Sequence, residues 1–449
     1  MPDLTAIYNA FDVDEPLPAD DDQRYVDLSG VRGDSKIARK LVQRIKNAGE
    51  RASHHLVMGH TKCGKTTELN RTARLLENEG YATVFFDIEE VATRTFEYST
   101  ILLLMAGQIV DQLGNRKVKV KGASAKKLAE FLLKREITLG GQISGDAGGK
   151  VEAELAPGLL TRLLGKFGLG VELRGGFQRS REITLKIEAD TRGFLEAIQE
   201  LVADANEKVL EAGHRGLAVI CDGCDKLAIT ATDENGKGRD LQLDMFVNHA
   251  ADLQSVPCHV IYTVPISIPI NLGDSWEQNP EFVPAIPVNK LPEIDDAYHL
   301  AGRKALEEVV DRRLKLHQTS IDELFQERSL FERLLMASGG HISDLLLLVR
   351  NAVLEAQTDE VERLSASQIN RSIRDRNLEY TRLIESKYLS ILAAIDDSKT
   401  PQAANEVYRE LIFKRLILEY VCGTENRVNL HPLVAASDAY RKWRNPQSV

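Results

Sequence analysis

Two stretches of this sequence carry residue types at a spacing that can handle a phosphate group. The first is Gly59-His60-Thr61-Lys62-Cys63-Gly64-Lys65-Thr66, which spells G-x-x-x-x-G-K-T and is followed by Thr67. Glycines at 59 and 64 let backbone N–H groups turn inward around phosphate oxygens, and a helix opening at Gly64 would point its positive dipole end at the same charge. Lys65 then reaches the terminal phosphates, and Thr66 offers a hydroxyl to Mg2+. The second stretch is Gly216-Leu217-Ala218-Val219-Ile220-Cys221-Asp222-Gly223-Cys224-Asp225-Lys226. Its apolar run ends in Asp222, a carboxylate suited to hold the metal through water. Gly223 follows where a glutamate base is usual, so Asp225 is the nearest acid along the chain for polarising an attacking water.

Chemistry of this kind needs strands to deliver both stretches and a helix to begin at the lysine. Residues 55–58 (HLVM) read as a short buried strand ahead of the glycine-rich loop. Residues 67–76 carry apolar residues at helical spacing and stop before Gly80. Residues 82–88 (ATVFFDI) read as a second strand, with Asp87, Glu89 and Glu90 forming an acidic loop at its end. Residues 98–113 and 188–212 read as helices, and 258–263 (CHVIYT) as a further buried strand ending in the hydroxyl of Thr263.

Composition sets bounds on the remainder. The chain of 449 residues is long enough for two to four domains, and its 43% hydrophobic and 28% charged residues are ordinary for a soluble protein. A net charge of -10 argues against a surface devoted to nucleic acid, while leaving room for a local basic patch. The acidic opening MPDLTAIYNAFDVDEPLPADDD has no basic region followed by an apolar stretch, and no apolar run approaches a membrane span, so the expectation is a cytoplasmic protein with no membrane partner. Five cysteines in so long a chain do not make a disulfide framework. Cys221 and Cys224 lack a second ligand pair and read as small apolar residues at a strand end.

Along the chain, residues 1–35 form an N-terminal segment, with 1–24 rich in Asp and Pro and expected to wrap the surface or remain partly mobile. Residues 36–290 form the core, interrupted at about 115–185 by a basic, glycine-rich insertion suited to self-assembly or partner docking. Residues 291–375 are helical, and 376–449 give helices followed by a two-stranded ribbon, the order of a winged helix.

With RYVDLSGVRGD, GHTKCGKTTEL, LAVICDGCDKL, HVIYTVP, SGGHISDLL and LILEYVCGTENRVNLHPLV assembled, the chain from about Arg24 to Pro432 resembles the STAND and origin-recognition branch of the AAA+ ATPases. Several proteins of that branch serve bacterial antiphage defence. The resemblance implies an α/β fold: an ASCE/AAA+-like P-loop NTPase core with a parallel sheet, a helical lid and a C-terminal winged helix. It implies ATP and Mg2+ as cofactors, with ATP bound between core and lid. Tyr25 and Val26 are then the candidates for the adenine pocket, and Thr263 for sensing the γ-phosphate or orienting water. A homo-oligomer and a separate effector protein are the implied partners, with nucleic acid as the alternative. Ser343 stands where relatives carry a lid arginine, and Lys226 stands where relatives carry an acid. Arg312 or Arg313 are candidates for an arginine finger, set against a solvated helix face.

Three functions follow. The first is an ATP-dependent switch with slow turnover that controls assembly or an effector. The second is a DNA-handling ATPase, a loader or transposition-type regulator. The third is a nucleotide-locked structural protein.

Overall fold

Short apolar runs rich in Val, Ile and Phe pair into a sheet because their backbones find no other partner once buried. The computed structural model describes residues 3–33, 35–88, 96–120, 122–133, 187, 189–232, 238–268, 272, 274–292, 294–402 and 405–445. The strands are β1 (His54–Gly59), β2 (Ala82–Asp87), β3 (Leu217–Asp222), β4 (Thr230–Thr232), β5 (Gly238–Asp240), β6 (His259–Pro265) and β7 (Glu281–Val283). Five of them form one sheet in the order β2-β3-β6-β1-β7, while β4 and β5 make a small antiparallel ribbon. The pairs β2–β3 and β3–β6 are parallel. The fold is α/β, as expected.

The chain divides into two compact units. One comprises Ala38–Val57 and Thr72–Glu281. Here every residue of β3 and β6 is buried, which is why LAVICD and HVIYTVP read as continuous rather than alternating runs. The helix Tyr98–Asn115 brings Ile101, Leu102, Leu103, Leu104 and Met105 into the core. Its Gln112 accepts a hydrogen bond from Phe85 N at 3.2 Å and donates to Phe85 O at 2.7 Å, satisfying backbone groups on the edge strand β2. The helix Gly122–Leu133 buries Leu128, Ala129 and Leu132, and its Ser124 donates to Asp204 of the helix Thr191–Glu211 at 3.0 Å. The beginning of the basic insertion is therefore part of this unit's core. Its remainder, from 134 to 186, lies outside the described residues, as do Glu89 and Glu90.

The other unit comprises Met1–Ile37, Met58–Arg71 and Phe282–Val449. The helices Asp296–Lys315, Arg328–Ala337, Ile342–Thr358 and Ala366–Thr381 enclose one apolar cluster. The N-terminal segment joins that cluster instead of lying along the surface. Asp3 caps the helix Leu4–Ala10 through Thr5 N and Ala6 N, and Ile7 and Phe11 are wholly buried among these helices. Two helices, Leu389–Ser398 and Glu406–Phe413, precede the antiparallel ribbon β8 (Ile417–Cys422) and β9 (Glu425–Leu430). Among the described residues no helix is long and apolar enough to cross a membrane.

Candidate nucleotide site

The glycine-rich loop falls in the unit that contains the helical region. After β1 the chain turns through Lys62 at φ 62° and Gly64 at φ 100°, a left-handed geometry that glycine adopts without strain. The helix Lys65–Asn78 begins directly after. A Cβ built on Gly59 would lie 2.6 Å from Val283 O, so only glycine lets the loop pass against β7. Lys65 is 4% exposed and its ammonium donates to Gly59 O at 3.0 Å and His60 O at 2.8 Å. A buried cation needs such partners, and here carbonyls of its own loop supply them. Thr66 and Thr67 are half-buried on the first helical turn, with Cys63 buried and Lys62 exposed and paired with Asp14 at 2.6 Å.

Two side chains that the sequence reading did not single out fasten this loop. Arg32, 4% exposed, donates to Cys63 O at 2.6 Å. His341 donates from Nε2 to Thr61 O at 2.9 Å. Its Nδ1 lies 3.3 Å from Asp344 N and 3.1 Å from Asp344 Oδ2, at the start of the helix Ile342–Thr358. His60 itself turns away from the loop's interior, its Nε2 accepting from Glu419 N of β8 at 3.0 Å, and burial pushes its pKa well below the usual value.

Asp344 is the hub behind His341. Wholly buried, its carboxylate accepts from Tyr380 Oη at 2.7 Å, from His431 Nε2 at 3.0 Å and from Arg376 Nε at 3.1 Å. Burial by itself would raise the Asp344 pKa, but the contacts with His341 and His431 and the charge of Arg415 outweigh it and hold the carboxyl well below its usual range. His431 accepts at Nδ1 from Leu433 N at 3.2 Å, so it is neutral, and burial lowers its pKa.

Tyr25 packs on the first turns of the Lys65 helix, its ring 3.7 Å from the Arg71 guanidinium and its hydroxyl 3.4 Å from Glu68 Oε1. Val26 belongs to the apolar cluster and is 7% exposed. Of the two arginine-finger candidates, Arg313 is buried rather than solvated and donates to Val309 O at 2.8 Å, while Arg312 donates to the carbonyls of Tyr25 and Asp22.

The acidic candidates lie in the other unit. Asp222, 2% exposed, closes β3 and accepts from Gly223 N at 2.8 Å. Asp225, 4% exposed, sits in the short turn Cys224–Lys226. Thr263 is wholly buried in β6, and its hydroxyl accepts from Cys224 N at 3.0 Å, bracing that same turn. Cys221 and Cys224 are buried with their Sγ atoms 3.3 Å apart, and burial raises the Cys224 thiol well above its usual pKa. Among the described residues no cluster of His, Cys, Asp and Glu could hold a metal by itself.

The loop's chemistry fits the nucleotide named above. The left-handed turn at Gly64 leaves the loop's concave side free of a Cβ, as a cradle for phosphate oxygens requires.

No protein-family model matches the sequence, and no curated protein does. The fold resembles solved structures at low identity. The Walker-type ATPase Paby2304 of Pyrococcus abyssi is 13% identical, with 95% of this chain and 99% of that one covered and a TM-score of 0.46. The ADP form of the ORC2 protein of Aeropyrum pernix is 12% identical, covering 97% and 98% at 0.42. The ORC1 protein of Aeropyrum pernix in complex with DNA is 14% identical, covering 94% of each chain at 0.38.

Proposed function

We propose that this chain is an ATP-binding molecular switch of the AAA+ type, hydrolysing slowly, that controls its own oligomeric assembly or a separate effector protein in bacterial antiphage defence. The observation that carries the reading is Lys65. It is a buried lysine at the first position of a helix, immediately after a left-handed glycine, in a loop spelling G-x-x-x-x-G-K-T. In this reading Gly59 to Thr67 hold the triphosphate, Lys65 exchanges its loop carbonyls for phosphate oxygens, and Tyr25 and Val26 flank the adenine. Thr66 and Asp222 are the metal's ligands, and bound Mg2+ would neutralise charge on the terminal phosphates. Asp225 is the acid nearest along the chain for orienting water, with Thr263 answering to the γ-phosphate.

The switch rests on how the loop is fastened. Thr61 is held by His341, and His341 caps the helix whose Asp344 binds His431 beyond β9. Nucleotide contacts that displace the loop backbone would therefore be felt at the C-terminal helices and ribbon, which we read as a winged helix. Sizing the purified protein with and without ATP and Mg2+ while recording phosphate release tests this. A change of assembly with nucleotide supports the switch, and an unchanged size with no release refutes it.

A second reading, a DNA-handling ATPase, is favoured by the end of the chain. Trp443, 44% exposed, stands among Arg441, Lys442 and Arg444 on the helix Asp438–Arg444. That reading requires salt-dependent DNA binding and DNA-stimulated phosphate release.

A further inference from the structure

In the unit that holds the glycine-rich loop, the helix Glu406–Phe413 ends in a turn whose Arg415 has φ 58°. Leu416 N closes the turn by donating to Leu411 O at 2.9 Å, and a left-handed residue just past a helix end is where glycine is usual. An arginine there gives up backbone ease, which points to a task for its side chain.

That side chain reaches the polar cluster behind the loop. Arg415 Nη1 lies 4.0 Å from Asp344 Oδ1, too far for a hydrogen bond, and among the described residues this buried atom has no hydrogen-bond partner. Asp344 takes its hydrogen bonds from Arg376, Tyr380 and His431 instead. One buried carboxylate thus faces two guanidinium groups, and the nearer one answers it. The loop lies close by: its His60 accepts from Glu419 N farther along β8, and the His60 pKa is lowered by burial and then by the neighbouring charges of His341, Lys65 and Arg415. Two further cations, Lys65 and Arg32, donate to carbonyls of the loop, while Arg32 Nε and Ser343 Oγ are also buried without a hydrogen-bond partner among the described residues. The Arg415 side chain is 21% exposed, so a solute can meet it. A guanidinium with an unanswered buried N–H, beside a loop that carries two more cations, is matched by an anion.

We propose that Arg415 is a further nucleotide-binding residue, donating to a phosphate oxygen of the ATP held by the glycine-rich loop. The assignment rests on the reading of this chain as an ATP binder and adds to it a cation from the C-terminal part of the chain. Because Arg415 leads directly into β8, nucleotide in the loop is felt at the ribbon through this one side chain.

The test compares wild type, Arg415→Gly and Arg415→Lys by calorimetric titration with ATP and Mg2+ and by thermal unfolding without nucleotide. Glycine suits the left-handed turn and removes the unanswered buried donor, so the Tm of Arg415→Gly is expected to equal that of wild type or exceed it by about 2 °C. Its ATP affinity is expected to fall about 30-fold, and Arg415→Lys, which keeps the charge but not the planar fork, is expected to lie between the two. A Tm of Arg415→Gly more than about 2 °C below wild type overturns the proposal, because Arg415 would then be a structural counter-charge of Asp344. A wild type that binds ATP, with Arg415→Gly within about threefold of it, overturns the proposal and leaves nucleotide binding standing. A wild type that binds no ATP removes both.

Discussion

A lysine ammonium 4% exposed has its charge answered by two carbonyls of its own loop. Thr263 gives a contrasting case. The sequence marked it as a hydroxyl at a strand end, and the structure adds that this hydroxyl accepts from Cys224 N inside the turn that follows Asp222. Thr263→Val strands that buried N–H, so we expect a loss of about 1–3 kcal/mol, read from urea denaturation. A neutral result would mean that the turn does not depend on the hydroxyl. Position 223 was legible as an empty base site, but its cause was not. The Asp87 carboxylate that fills the space belongs to another strand, and such proximity has no signature in linear spacing.

At the scale of elements, the loop, the helix Ile342–Thr358 and the C-terminal ribbon are joined through buried polar side chains. Asp344 is the sharpest test, because it accepts from a tyrosine, a histidine and an arginine with no exposure to water. Asp344→Asn leaves Arg376 without its buried counter-charge, and we expect a loss of about 3–5 kcal/mol in denaturant unfolding, where an unchanged midpoint would contradict the network. Strands β1, β2, β3 and β6 and the Lys65 helix were readable because buried parallel strands are continuous apolar runs and the helix has a regular apolar period. The helix Leu4–Ala10 was not. Its two anchors, Ile7 and Phe11, stand in a segment whose Asp and Pro content dominates the composition, and only packing against the helices of residues 296–381 identifies it. The same limit applies to Arg32, His341 and His431, whose motifs SGVRGD, GGHISD and NLHPLV could be read as text but not as contacts with the loop or with Asp344.

For the whole molecule, the buried histidines dictate how stability depends on acidity. His60, His341 and His431 have pKa values lowered first by burial, and His54 and His55 are pushed down to about 4 by the same cause. Each is held neutral in the fold, so below about pH 6.5 the unfolded chain takes up protons that the folded chain refuses. Their contribution is complete above that pH and is lost as pH falls toward the depressed folded values. Glu419 acts in the opposite sense, because burial raises it to about 7 and its folded form keeps a proton that the unfolded chain has released. The histidines outnumber it, so we expect Tm at pH 5 to lie about 5 °C or more below Tm at pH 7.5. A flat profile would show that these histidines are open to water.

The grip of Lys65 on a triphosphate underlies the proposed switch and the proposed metal ligands. Calorimetric titration of the purified protein with ATP and Mg2+, repeated on Lys65→Ala, tests it. We expect a saturable heat from the wild type and an affinity at least about 100-fold weaker in the variant, equivalent to the loss of about 3 kcal/mol of charge-assisted contact. A wild type that gives no heat, or a variant that binds as tightly as the wild type, would contradict it.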